Sequence, residues 1–344
     1  MPKIRLKNVL LIVVFWHIII LCHSQDIQFS QYYAVPFYQN PAYVGSRHAT
    51  RGVLHQRVQW PGLDARYLSS LAAFDTYFSK YNSSIGLMVV QDYQGPSTIS
   101  TTDLHLMYAY ELHVSEHVTF RPALQVGFVR RKVDYSQLTL PEQFTDQGPT
   151  GAGIDESSLG ASSILYPEVG AGGLFYTSRG WVGVGMNHLN QPNQSFYNEI
   201  ARLPVKLSVT GGHKFYLKKV KFFAYMETEK EFSISPTFHY KSQGKSDQLD
   251  LGVYLVWDQI QGGLWYRGIP VKQYSRSLPN NEAIIPMIGY RYNNFTFSYS
   301  YDFTLSRLTP AKTYGAHEFN ITYVNQVTKR KKPKILKRLP CPKF

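Results

Sequence analysis

From about residue 46 to residue 325 the chain alternates apolar and polar side chains in short runs. In Asn294–Phe303, Phe295, Phe297, Tyr299, Tyr301 and Phe303 fall on one face, with Thr296, Ser298, Ser300 and Asp302 on the other. Leu104, Leu106, Tyr108, Tyr110 and Leu112 stand opposite His105, Met107, Ala109 and Glu111, and Leu249–Trp257 repeats the pattern. A period of two places successive side chains on opposite faces of a strand. Helix signals are scarce in this stretch. The pattern predicts fourteen strands, near 47–59, 66–77, 82–93, 99–112, 117–132, 162–177, 180–188, 202–217, 230–241, 247–258, 260–269, 282–292, 294–303 and 315–325.

A soluble sandwich also alternates, so the character of each face matters. Here the polar faces are rich in Ser, Thr, Gly and Asn, and aromatics gather at strand ends. An apolar exterior, a polar interior and aromatic girdles mark an outer-membrane barrel. An even strand number returns both ends of the chain to one side, taken as periplasmic. Every second connection is then a periplasmic turn, and most are short: 79–81, 113–116, 178–179, 259 and 293, with 218–229 the exception. The opposite set holds the long loops 133–161, 189–201, 270–281 and 304–314. A sandwich has no reason to sort its loops by length in this way. The expected fold is therefore an all-β transmembrane outer-membrane antiparallel barrel, residues 47–325, with both termini periplasmic. Fourteen strands lie between small barrels filled by side chains and water-filled porins of 16–18 strands. Partial plugging is expected, either by the aromatic- and amide-rich segment 25–46 or by loop 133–161.

Charge sharpens the picture at the ends. Of a net +13, residues 1–24 carry +3 and residues 329–344 carry +8, leaving a nearly neutral body of +2. Lys3, Arg5 and Lys7 precede the apolar stretch Val9–Leu21, and Cys22 and Ser24 place small residues at −3 and −1 before Gln25. That is the layout of a secretory signal over 1–24, with an amino-terminal anchor as the competing reading. Removal of the signal leaves Cys341 as the only cysteine, so no intramolecular disulfide is expected. Export also excludes nucleic acid as a partner of the basic ends.

Chemical motifs are sparse. His113 and His117 have a zinc-like spacing but flank a turn, and His317-Glu318 lacks the second histidine of a zinc-protease motif. Gly170–Gly173 and Gly183–Gly185 lie in strands, where glycine permits curvature or close packing. No catalytic residue, metal site or cofactor is expected, and the chain reads as a non-enzyme.

Several motifs in order resemble the PorP/SprF family of type IX secretion system membrane proteins of Bacteroidetes. They are Asp26–Tyr33 with Pro36 and Asn40–Gly45, Arg57–Pro61, Asn187–Pro192, Arg202–Pro204, Gly263–Arg267, Tyr301–Ser306 with His317-Glu318, and Pro340–Phe344. The resemblance implies an outer-membrane component of type IX secretion and gliding motility. Its implied partners are an exported surface protein, such as an adhesin with a type IX C-terminal signal, and periplasmic secretion components. A solute or hydrophobic-compound channel is the alternative.

Two segments are the candidate sites. In the first, Gln28, Phe29, Tyr32, Tyr33, Asn40, Pro41 and Gly45 form either a strap that packs in the lumen or a docking surface for the exported partner. The second is the tail 326–344, with Lys331, Lys332, Lys337 and Arg338 ahead of Leu339, Pro340, Cys341, Pro342 and Phe344. Its charge suits anionic outer-membrane lipid or steering of a periplasmic partner, and its prolines favour an extended conformation.

Overall fold

The computed structural model describes residues 26–63, 67–95, 99–137, 144–145, 148–149, 160–197, 199–217, 232–275, 278–305, 313–325 and 339–340. The expected signal, most of loop 133–161, the connection 218–229 and most of the tail lie outside these residues.

Fourteen long strands form one antiparallel sheet. They are β1 Thr50–Gln59, β2 Tyr67–Phe78, β3 Ser83–Gln94, β4 Ile99–Tyr110, β5 Thr119–Val133, β6 Ser163–Tyr176 and β7 Gly180–Asn187. They continue as β8 Lys206–His213, β9 Phe232–Gln243, β10 Ser246–Trp257, β11 Ile260–Ser275, β12 Leu278–Tyr292, β13 Phe295–Thr304 and β14 Ala316–Asn325. Each pairs with its neighbours in sequence, and two-residue extensions at Leu112–His113 and Phe215–Tyr216 prolong the ladders. The sheet closes where β1 meets β14, from Thr50↔Asn325 through Gln59↔Ala316. Closure leaves no open edge, which a membrane-spanning sheet requires because lipid offers no hydrogen bonds.

The alternation read from the sequence sorts lipid from lumen. In β4, Leu104, Leu106, Tyr108 and Tyr110 are exposed while His105, Met107 and Ala109 are buried. In β13, Thr296, Ser298, Ser300 and Asp302 turn inward between the outward Phe295 and Phe297. At the short-turn mouth, Phe78, Tyr81, Tyr110, Phe175, Trp257, Tyr292, Phe295 and Tyr323 form an exposed aromatic girdle. This is the mouth at which β1 starts and β14 ends, the one expected on the periplasmic side.

One expected loop is largely strand among the described residues. Residues 270–281, with Gly268, Pro270, Pro279, Asn280 and Asn281 in and beside them, read as a long connection, yet β11 and β12 extend to Ser275 and Leu278. The ladder absorbs these residues through register shifts between Arg267 and Gly268, Ile269 and Gln273, and Gln273 and Ser275. Such bulges accommodate strand-breaking residues while pairing continues. In loop 133–161, the described residues include a 3-10 turn at Tyr135–Gln137 and a short pairing of Phe144–Thr145 with Gly148–Pro149.

Candidate functional site: the lumen strap

Residues 26–46 run through the barrel from the long-loop mouth to the short-turn mouth, and Phe29 through Ser46 are buried without a break. Asp26 therefore stands at the end opposite the start of β1 and not on the side expected for both termini, because the strap crosses the lumen before the first strand begins. Two 3-10 turns, Pro36–Tyr38 and Pro41–Tyr43, compact the strap, each with proline fixing φ at its start. The Asn40 side chain accepts from the Ala42 amide at 2.9 Å and so caps the second turn.

At the outer end, Asp26 lies 2.8 Å from His188 and 3.1 Å from Lys206, and its amide donates to Gln243. His188, just beyond β7, also reaches Glu168 at 3.2 Å. Burial opposes its charge, but the two carboxylates raise its pKa to about 10. The same contacts overcome burial to hold the Asp26 carboxyl well below its ordinary value.

One level deeper, the wall supplies a buried ion network. The Ser30 and Gln31 amides donate to Glu318 at 2.6 and 2.8 Å, and the Ser30 hydroxyl donates to Asp302 at 2.6 Å. Arg57 bridges Ser30, Asp302 and Glu318, while Arg267 pairs with Asp250 and Asp302, each at 3.1 Å, and donates to Ser30 at 2.8 Å. With its oxygen toward Arg267, the Gln28 amide accepts from Nε and Nη1 at 2.9 Å. Such a network is favourable only when nearly every member is paired, and here each cation meets two carboxylates.

Below it the strap turns aromatic. Phe29 meets Tyr38 and His55 edge-on at 5.0 and 4.9 Å. Tyr32 and Tyr33 pack against Trp265 at 4.7 and 5.8 Å, and Tyr254 and Trp181 complete the cluster. Asn40 donates to the Gly173 carbonyl at 3.1 Å and rests on the glycine-rich wall. A Cβ on Gly172 would come within 2.0 Å of Asn40, and one on Gly185 within 2.2 Å of the Gln39 carbonyl, so those glycines make room for the strap.

At the periplasmic end, Gly45 in the left-handed region (φ 65°) donates its amide to Asp75 at 2.6 Å, and Arg51 pairs with the same carboxylate. Arg121 donates to the carbonyls of Ala42 and Val44 and pairs with Glu111, which His48 also meets at 2.8 Å. Burial works against the Glu111 charge, yet His48 and Arg121 hold its pKa at about 2.

The structure thus places all seven strap residues, Gln28, Phe29, Tyr32, Tyr33, Asn40, Pro41 and Gly45, inside the lumen. Of the tail, Leu339 and Pro340 are buried, and Leu339 belongs to the apolar cluster that contains Tyr32, Trp265 and Met287. Lys331, Lys332, Lys337, Arg338, Cys341, Pro342 and Phe344 lie outside the described residues. Sequence reasoning missed the wall partners Arg51, Asp75, Arg121, Asp250 and Arg267 as site residues. The available signal was charge on the inward face of a strand in a membrane barrel, which is costly unless paired. Separate motifs, carrying Ser30, Arg57, Arg267, Asp302 and Glu318, converge in the one network. Among the described residues no group of three or more His, Cys, Asp or Glu is arranged to hold a metal ion.

Residues 21–323 match the model of a family described as type IX secretion system membrane protein PorP/SprF. The chain belongs to the PorP/SprF family. No curated protein matches it significantly. Solved outer-membrane barrels similar to this PorP/SprF protein include the toluene transporter TodX of Pseudomonas putida, at 9% identity over 88% of this chain and 94% of that one, TM-score 0.43. The toluene transporter TbuX of Ralstonia pickettii shares 12% identity over 85% and 92%, TM-score 0.43. Omp33 of Acinetobacter baumannii shares 8% over 82% and 100%, TM-score 0.44. At these values the likenesses carry no inference about what this PorP/SprF barrel binds or moves.

Proposed function

We propose that this outer-membrane barrel is a non-enzymatic component of type IX secretion and gliding motility. In this reading it binds an exported surface protein, such as an adhesin with a type IX C-terminal signal, and helps export or anchor it. The strap carries the proposal. A lumen occupied from mouth to mouth by the chain's own residues suits a rigid docking platform better than a conduit for solutes. The basic stretch Lys329–Arg338 would contact periplasmic secretion components, with Leu339 and Pro340 as its anchor on the barrel.

Affinity purification of the full-length protein from native membranes in mild detergent, followed by mass spectrometry, tests this reading. A large exported protein carrying a type IX C-terminal signal is expected to co-purify, and neutralising Lys331, Lys332, Lys337 and Arg338 should deplete periplasmic machinery from the same sample. Recovery of the barrel alone at native expression, together with solute uptake that depends on it, would favour the channel instead.

A further inference from the structure

Between the strap and the wall of β3–β7 lies a cavity of about 70 Å³, open on the side of Gln94, Thr101 and Gln194. Two glycines stand behind its lining residues. Gly170 sits across the ladder from Gln125, and a Cβ there would stand 2.9 Å from Asn187 Oδ1. A Cβ on Gly127 would stand 2.4 Å from His105 Nδ1.

The cavity has more acceptors and more negative charge than its own donors meet. Asp26, Asp92, Asp103 and Glu168 all line it. His188 and Lys206 serve Asp26 and Glu168, and Asp92 is met by the neutral donors Ser69 and Gln94. Arg131, on the same cavity, donates to Gln194 at 2.7 Å and lies over the Phe196 ring. Asp103 Oδ1 has no donor among the described residues, and neither have Gln125 Oε1 or Asn187 Oδ1. Gln125 and Asn187 are only 2% and 4% exposed. Buried acceptors of this kind call for a donor, and water would bring no charge to offset Asp103. No metal-type cluster is present among the described residues, whereas an ammonium carries one positive charge and three N–H donors.

From this arrangement we infer that the cavity is a binding site for a primary ammonium group entering from the outer mouth. Asp103 supplies the charge, and Gln125 and Asn187 supply the neutral acceptors. The ammonium could belong to a lysine side chain or to a free alkylamine, and the inference stands independently of the secretion reading.

Calorimetric titration of the purified full-length barrel in detergent separates the outcomes. The probes are n-butylammonium chloride, acetyl-Gly-Lys-Gly-amide, the same peptide acetylated on its lysine, and calcium chloride at matched ionic strength. Saturable binding of at least one ammonium probe is expected, with no binding of the acetylated peptide. Binding of butylammonium identifies a small-amine site, and binding of the peptide alone identifies a lysine of a protein partner. Asp103→Asn and, separately, Gly170→Ala should each weaken binding at least tenfold, while Asp134→Asn in an exposed loop should not. Gly170→Ala leaves every charge in place, so it remains informative if Asp103→Asn fails to fold. Absence of saturable ammonium binding, unchanged affinity in folded variants of either kind, or equal binding of calcium would overturn the assignment.

Discussion

Arg57 illustrates how much of this molecule rests on single inward side chains. Its guanidinium touches Ser30 of the strap and the carboxylates of Asp302 and Glu318, on β13 and β14. Arg57 is 4% exposed and Glu318 is fully buried, so water does little to soften the loss of one partner. Replacing Arg57 by alanine leaves Glu318 without its guanidinium, with only the Ser30 and Gln31 amides and His55 beside it, and breaking a buried pair from one side costs about 3–5 kcal/mol. The expected outcome is a clearly lower temperature for the loss of the folded, fast-migrating band in heat-modifiability gels. No comparable change is expected for Arg130→Ala, whose guanidinium makes an exposed hydrogen bond to Ser163. An unaltered transition in Arg57→Ala would mean the network is hydrated and weak.

At the scale of the element, the strap is held at its two ends by groups that titrate at opposite extremes. His188 has its pKa raised from 6.5 to about 10, so its contribution is complete below about 6.5 and is lost as pH rises through about 10. Glu111 has its pKa lowered from 4.5 to about 2, so its contribution is complete above about 4.5 and is lost as pH falls toward about 2. Thermal stability should therefore be broad and maximal between these limits, falling on the alkaline side through the outer latch and on the acid side through the periplasmic one. His188→Gln is expected to lower the transition temperature at pH 7 and to flatten its decline up to about pH 10. A wild-type transition that stays level up to pH 11 would rule out the outer latch as an ionic contact.

For the whole molecule, a lumen filled by the strap predicts a barrel that does not conduct. Deleting residues 26–45 removes the aromatic plug and the strap partners of Arg57, Arg121 and Arg267 together. The intact protein should show little steady current in planar bilayers. The deletion variant, where it inserts, should show large open-pore events, because fourteen strands approach the size at which barrels hold water. Gly185→Ala, which presses a methyl on the Gln39 carbonyl, should give intermediate, flickering openings. Large steady conductance in the wild type would show that the strap does not seal the lumen.

Much of this was legible in the chain because a barrel wall is written with period two. Leu104, Leu106 and Tyr108 announce a lipid face one residue at a time, and the even number of such runs brings both ends of the barrel to one mouth. Local patterns of that kind need no knowledge of distant partners. The bulged hairpin of β11 and β12 was not legible, since Gly268, Pro270 and Pro279 signal a turn unless the neighbouring ladder holds them in register. The meeting of Ser30, Arg57, Arg267, Asp302 and Glu318 was also hidden, as these residues are separated by as many as 288 positions. By itself the sequence determined the wall and which face of each strand turns outward, and it singled out the amino-terminal segment as a candidate, because burial against lipid acts residue by residue. Only the tertiary structure decided which charges neutralise one another, where the strap seats and which acceptors stay unmet. Those depend on the three-dimensional closure of the barrel, which brings remote strands within hydrogen-bonding distance.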